Sequence, residues 1–413
     1  MMNLAQQQTK SADACPVDHA QYSKQYADLN DKLVSSPLEQ DEFGVWHVHG
    51  YAEAEAVLRS DAVRQAGFRA EFLDKMPTGI NPPILYLEGK PHHEQRRQTA
   101  RFFTPRTTDS QYRQMMQQYA DELVQEFVRR KRVDLTQLSM KMAVRVASQV
   151  VGLTNSRLPG IDRRVDRFVR RKIVENGRLA QLKKYVQTQL NLLLFFLLDI
   201  QPAIKVRRKT PREDVISHLL DSGYKNLEIV TECITYGVAG MATTREFIVV
   251  ALWHILENPE YRTLMLTADQ ETRYGFLHEL LRLEPVVGHL LRRTTAELAI
   301  ESGGQTVTIP AGALIDLPVY LVNTDEQVVG ERPSQVCPGR EMVERKPRVA
   351  DSVMSFGDGA HRCPGAYIAI QESDIFLCRL LQVEGLRIEK PPTVTYNDTV
   401  KGYEFSDFIV AVD

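Results

Sequence analysis

The stretch Ser355-Phe356-Gly357-Asp358-Gly359-Ala360-His361-Arg362-Cys363-Pro364-Gly365 (SFGDGAHRCPG) sets one cysteine among three glycines and a proline. Gly357 and Gly359 permit positive φ and close backbone approach. Pro364 suits a first helical position, where its missing N–H costs nothing, and Gly365 lets the backbone pass close to something flat. The run Ala366, Ile368, Ala369, Ile370, Ile375, Phe376, Leu380 and Leu381 predicts a buried helix immediately afterwards. A sulfur at such a helix N-terminus meets unpaired N–H groups and the positive end of the macrodipole, and both favour a thiolate. A thiolate in a glycine loop serves as a nucleophile, which wants a histidine base, or as a metal ligand, which wants room for the metal and its macrocycle.

The rest of the chain bounds the answer. With 413 residues, 43% hydrophobic and 25% charged, the composition is that of an ordinary soluble globular protein. A formal net charge of -2 argues against nucleic acid as the main partner. Charge is uneven locally: ten Lys/Arg stand against three acids between Arg157 and Lys184, read as a solvated helix face or a docking surface. The five cysteines are scattered without a C-x-x-C pair, so neither structural zinc, a redox dithiol nor a disulfide framework is expected, and a cytoplasmic location follows. Met1 to Asp18 shows no apolar signal segment. The longest apolar run, Leu192 to Leu198, is too short for a membrane span.

Periodicity places a polar arm over residues 1–30 and a single, mainly α domain with small β-sheets over 31–413. A short strand is expected at Phe43 to Val48 and a helix at Ala52 to Leu58. The Gly/Pro-punctuated stretch Gly67 to Pro91 is long enough to be functional. Helices dominate from His92 to about Ser222, and a long helix is expected over Leu227 to Glu257, stopped before Pro259. Short strands follow around Ala299 to Val319, and Val394 to Val412 reads as hairpin strands.

The spacing Phe356-x-x-Gly359-x-x-x-Cys363-x-Gly365 resembles the haem-ligating loop of cytochromes P-450, in which the cysteine thiolate is the axial ligand to haem iron. Three further segments agree in order with that family. Glu279-Leu280-Leu281-Arg282 resembles its E-x-x-R pair, which implies a buried ion pair, with Arg340 as a third member. His92 and Arg96 lie at i and i+4, like the family's H-x-x-x-R. With Arg292 and His361 they make four implied donors to the haem propionates; Arg293 competes with Arg292. Gly237-Val238-Ala239-Gly240-Met241-Ala242-Thr243-Thr244 resembles the oxygen-binding kink of the long helix. Gly240 there costs helix propensity, and close approach of a planar cofactor accounts for it, as would plain helix packing.

The resemblance implies the cytochrome P-450 fold, a triangular helical prism, holding haem b and using O2 with electrons from a separate ferredoxin or flavodoxin. The donor would dock near Lys90, Arg97, Arg101 and Arg106. Phe356, Gly357 and Gly365 are implied to shape the haem side of the loop. Thr243 is implied to bond the oxygen substrate and assist proton delivery, but Ala242 replaces the usual acid. That leaves ordered water, a substrate group or Glu246 to supply protons. Phe68, Phe72, Val238, Ala239, Val287, His289, Leu290 and Tyr403 are pocket candidates. Most are apolar, so a lipophilic small molecule is expected, with His289 as a polar anchor. A monomer is expected. A peroxide-driven enzyme fits the missing acid, and a haem-thiolate sensor is a second rival.

Overall fold

The computed structural model describes residues 36–68, 70, 82–169 and 178–413. The expected polar arm therefore lies outside the described residues, as does Phe72; of the Val238 side chain nothing is described. The chain forms two compact units. One comprises Met1–Asp74, Phe247–Ala366 and Leu380–Asp413; the other comprises Lys75–Glu246 and Tyr367–Arg379. Each is assembled from segments far apart in sequence.

The first unit holds most of the sheet. A five-stranded sheet runs in the order Leu38–Gln40, Trp46–Val48, Leu314–Pro318, His289–Thr294 and Val63–Gln65. Trp46–Val48 lies parallel to Leu314–Pro318, and its other partner joins it through a hairpin whose turn carries Gly44 at φ 81°. The helix Tyr51–Arg59 follows at once. Val48, Ala54, Val57, Ile309, Ile315 and Leu317 form part of the core that closes on this sheet. Hairpins pair Leu298–Ser302 with Gln305–Ile309 and Thr393–Asn397 with Gly402–Ser406. Ile409–Ala411 instead pairs with Arg387–Lys390, so the C-terminal strands form two pairings where a simple hairpin was expected.

The second unit is almost wholly helical. Leu135–Val151 starts at Asp134, whose carboxylate accepts the Thr136 N–H at 3.0 Å, and ends at Gly152 with φ 100°. A Cβ at Gly152 would stand 2.7 Å from the Asp214 carboxyl carbon, so backbone and space both demand glycine. Asp214 pairs in turn with the buried Arg207. The helix expected from His92 begins earlier, at Gly89, and ends at Thr99. The expected long helix is Asn226–Gly237, a π-turn at Val238–Ala242, then Thr243–Glu257.

Two helical stretches have the length and hydropathy of a membrane span, against expectation: Val186–Lys209 and Asn226–Glu257. The second has 76% of its apolar window buried, as befits a core helix, and the first carries the buried Arg207–Asp214 pair near its end. Cys337 is disulfide-bonded, also against expectation, whereas Cys233, Cys363 and Cys378 carry no disulfide.

Candidate functional site

The candidate residues fall in both units, and each set is built within its own. In the first unit, the cysteine loop folds back on itself. The Cys363 N–H donates to the Phe356 carbonyl at 2.8 Å, and Gly357 N–H donates to Met354 O at 2.8 Å. Gly357 and Gly359 sit at φ 67° and 63°. At Gly359 a second constraint applies: a Cβ would stand 2.1 Å from the Leu58 carbonyl oxygen. The loop is thus seated against the helix Tyr51–Arg59, and Arg59 Nε donates to Asp358 at 2.7 Å. Cys363 is exposed and outside any disulfide. The helix begins at Ala366 rather than at Pro364, because residues 363–365 complete the loop's own turn first. Half-buried His361 closes a short 3-10 turn, Gly359–His361.

Behind the loop stands a buried ionic network. Arg282 grips Glu279 through two bonds, Nε to Oε1 at 2.7 Å and Nη2 to Oε2 at 3.0 Å. Arg340 Nε reaches the same carboxylate at 2.8 Å, and the Cys337 N–H adds a bond at 3.0 Å. The remaining Arg282 nitrogen, Nη1, goes to the carbonyls of Asn323 and Pro333. Every charge in this group therefore has several partners, as burial demands. Asn323 carries the network to the loop. Its Nδ2 donates to Arg282 O and to Ser355 Oγ, and its Oδ1 accepts the Met354 N–H, each at 2.8 Å. No sequence motif marked Asn323.

Strand alternation separates the two competing arginines. Arg292 is buried on the same strand face as Leu290 and Thr294, whereas Arg293 points the other way and donates to Gly312 O at 2.7 Å. Leu290 Cδ1 lies 4.0 Å from where a Gly357 Cβ would be, so this face is the one over the cysteine loop. Gln65 on the neighbouring strand accepts from Arg292, a second partner the sequence did not flag. His289 shares the Arg293 face, and its Nδ1 bonds Asp316 at 2.8 Å, so the expected polar anchor is engaged within the sheet. Tyr403 is core: 3% exposed, with its hydroxyl donating to Glu284 O at 2.7 Å. Val287 is half-buried. Phe68 is half-buried in a turn at φ 56°.

In the second unit, the π-turn Val238–Ala242 widens the helix by one residue and leaves the Ala239 carbonyl to accept the Thr243 hydroxyl. Such bulges recur at functional sites. Plain helix packing does not force Gly240: a Cβ there would meet Ala147 only at an ordinary 3.8 Å. Ala239 is exposed and Ala242 buried. Glu246 is buried and pairs with its neighbour Arg245, itself fully buried, so the expected replacement acid is already engaged by a cation. On Gly89–Thr99, His92 is buried and Arg96 half-buried. Gln95, between them, donates to Glu232 at 2.8 Å, and the Ile84 N–H donates to the same oxygen at 2.9 Å. Burial pushes the Glu232 carboxyl up to about 7. Lys90, Arg97, Arg101 and Arg106 are exposed, with Arg97 paired to Glu94 at 2.9 Å.

These residues fit a haem. An exposed thiol stands in a glycine-shaped loop, a buried arginine and a half-buried histidine lie in the same unit, and the other unit's long helix has an unforced glycine at its π-turn. They describe a haem-thiolate protein as a class. The cytochrome P450 family model matches residues 274–397. Cytochrome P450 107B1 of Saccharopolyspora erythraea is 26% identical over 329 residues, covering 78% of this chain and 73% of that protein. The biotin biosynthesis cytochrome P450 of Bacillus subtilis is 24% identical over 345 residues, covering 82% of each chain. The crystal structure of the versatile cytochrome P450 enzyme CYP109B1 from Bacillus subtilis superposes with a TM-score of 0.70 at 23% identity, covering 92% of this chain and 96% of that one. The chain is thus similar to cytochromes P450 in sequence over residues 274–397 and in fold over most of its length, and proteins of that family use an iron haem held by a cysteine thiolate.

Proposed function

We propose that the chain inserts one oxygen atom of O2 into a lipophilic small molecule, by hydroxylation or epoxidation, using electrons from a separate ferredoxin or flavodoxin. The observation that carries this reading is the exposed Cys363 thiol in a loop locked by Phe356, Gly359 and Asn323. When bound, the haem supplies oxygen activation, assisted by electron donation from a thiolate ligand. Cys363 would be that ligand. Arg292 and His361 in one unit, and His92 and Arg96 in the other, would meet the propionates. Glu279, Arg282 and Arg340 would brace the loop from behind.

Thr243 commits its hydroxyl proton to Ala239 O, so its oxygen lone pairs are what it offers as acceptor to a water or substrate group. Ala242 carries no proton, and Glu246 is held by Arg245. Proton delivery therefore runs through water or a polar group of the substrate, oriented by Thr243. Leu290 and Val287 in one unit, and separately Ala239 in the other, are the apolar candidates for substrate contact. The exposed Lys90, Arg97, Arg101 and Arg106 support docking of an acidic electron donor.

The test is the absorption spectrum of the reduced, carbon-monoxide-bound protein, with Cys363→His as control. A thiolate signature that disappears in the variant is expected; an imidazole-type spectrum in the unmodified protein, or failure to take up haem, overturns the assignment. Ala242 favours a second reading, a peroxide-driven enzyme. With a ligand found by spin-state screening, product formed with peroxide but not with a ferredoxin and its reductase would select that reading.

A further inference from the structure

We infer that Glu232 is a positioning residue that fixes the helix bearing His92 and Arg96, and the segment ending at Ile84–Tyr86, against the oxygen-site helix. The inference rests on the proposed haem role of His92 and Arg96. Glu232 is 1% exposed and lies on Asn226–Gly237, the helix that leads into the π-turn. Its Oε1 accepts two donors from two other elements: the Ile84 N–H at 2.9 Å and Gln95 Nε2 at 2.8 Å. One carboxyl oxygen thus joins three elements of one unit. Its Oε2 is buried with no hydrogen-bond partner among the described residues.

That arrangement is asymmetric. A neutral carboxyl serves both donors through Oε1, while an ionised one puts uncompensated charge on Oε2. The groups facing it do not relieve that charge. Tyr224, ahead of the helix, and Cys233 and Tyr236, on it, are all pushed up by burial first and by the Glu232 charge among the rest; Glu228 also acts on Tyr224. Arg96, on the helix bearing Gln95, acts on Tyr236 in the opposite sense, and Asp214 adds a further negative charge at Cys233. The carboxyl of Glu232 is the group in this pocket poised to change charge near neutrality.

The experiment compares the full-length protein with Glu232→Gln and Glu232→Leu. Glutamine keeps an acceptor for both donors without the charge; leucine removes it. Two readouts are taken between pH 6 and 8.5: hydrogen-exchange protection of the peptide containing Ile84, corrected for intrinsic rate, and haem loss to excess apomyoglobin. Protection is expected to fall about tenfold or more in Glu232→Leu at every pH and to stay high in Glu232→Gln. The unmodified protein should lose protection, and release haem faster, as pH rises through about 7, a step absent in Glu232→Gln. Equal protection in the leucine variant, or the same pH step in the glutamine variant, overturns the inference. Because the exchange readout needs no haem, failure of haem binding would sink the proposed function separately. Lost protection with haem loss unchanged in the leucine variant would leave Glu232 a purely structural clamp and also overturn its positioning role.

Discussion

Glu279 and Glu232 are almost equally buried, at 2% and 1% exposed, yet they are treated in opposite ways. Glu279 receives two arginines and a backbone N–H. Glu232 receives only neutral donors, and only on one oxygen. Glu372, on the helix following the cysteine loop, goes further: its Oε1 has no partner among the described residues, and burial pushes its carboxyl up to about 8. The lesson is that burial alone does not fix a carboxyl's state; the donors around it do. Where cations converge, the acid is a permanent strut. Where they do not, it holds a proton.

The sharpest way to break this contrast is to remove the strut. Arg282→Ala strips two bonds from Glu279 and leaves a buried carboxylate under-compensated, which should cost about 3–5 kcal/mol. Denaturant unfolding and the haem-loaded fraction after purification would measure it; a loss under 1 kcal/mol would show that Arg340 alone suffices. Asn323→Leu removes the relay between that network and the loop, orphaning the Met354 N–H, and should cost about 2–4 kcal/mol with a matching drop in haem retention.

Glu372→Gln tests the other side. The folded state holds a proton that the unfolded chain releases above its ordinary 4.5, so native stability falls as pH climbs from there and levels off above about 8. The glutamine variant lacks this loss, and at pH 9 it should be more stable than the parent by roughly 5 kcal/mol, with little difference near pH 4.5. Unfolding curves at the two pH values that run parallel for both proteins would remove the proton from the account. The smallest effect is reserved for Arg293→Ala, which should change haem affinity and stability by no more than about 0.5 kcal/mol. Arg292→Ala measured beside it should lower haem retention clearly.

Much of the site was legible in sequence because it is local. Phe356 to Gly365 is one loop, and Glu279 and Arg282 are three apart on one helix, so spacing carries their geometry. Arg292 against Arg293 was not separable until strand register placed Leu290 over the loop, since alternation tells two faces apart without saying which is inner. Gln65 meets Arg292 across 227 residues, and Gln95 meets Glu232 across 137. No local pattern reports contacts of that range. The π-turn is invisible for a different reason: small residues at 239, 240 and 242 are compatible with an ordinary α-helix, and the extra residue appears only in the backbone. Helix was read over His92 to about Ser222, but the boundaries at Asp134 and Gly152 were not marked in it. The C-terminal hairpin was legible in its alternation, whereas the pairing of Ile409–Ala411 with Arg387–Lys390 was not, because alternation does not name a strand's partner.

The extra residue in the Val238–Ala242 turn is absorbed where it stands. A wide turn closes its hydrogen bond one residue later than an α-turn, so the winding on either side keeps nearly the same phase. Deleting one residue there would restore ordinary winding and leave Glu232 facing Ile84 and Gln95. The turn can therefore change length without unthreading the helix that carries it.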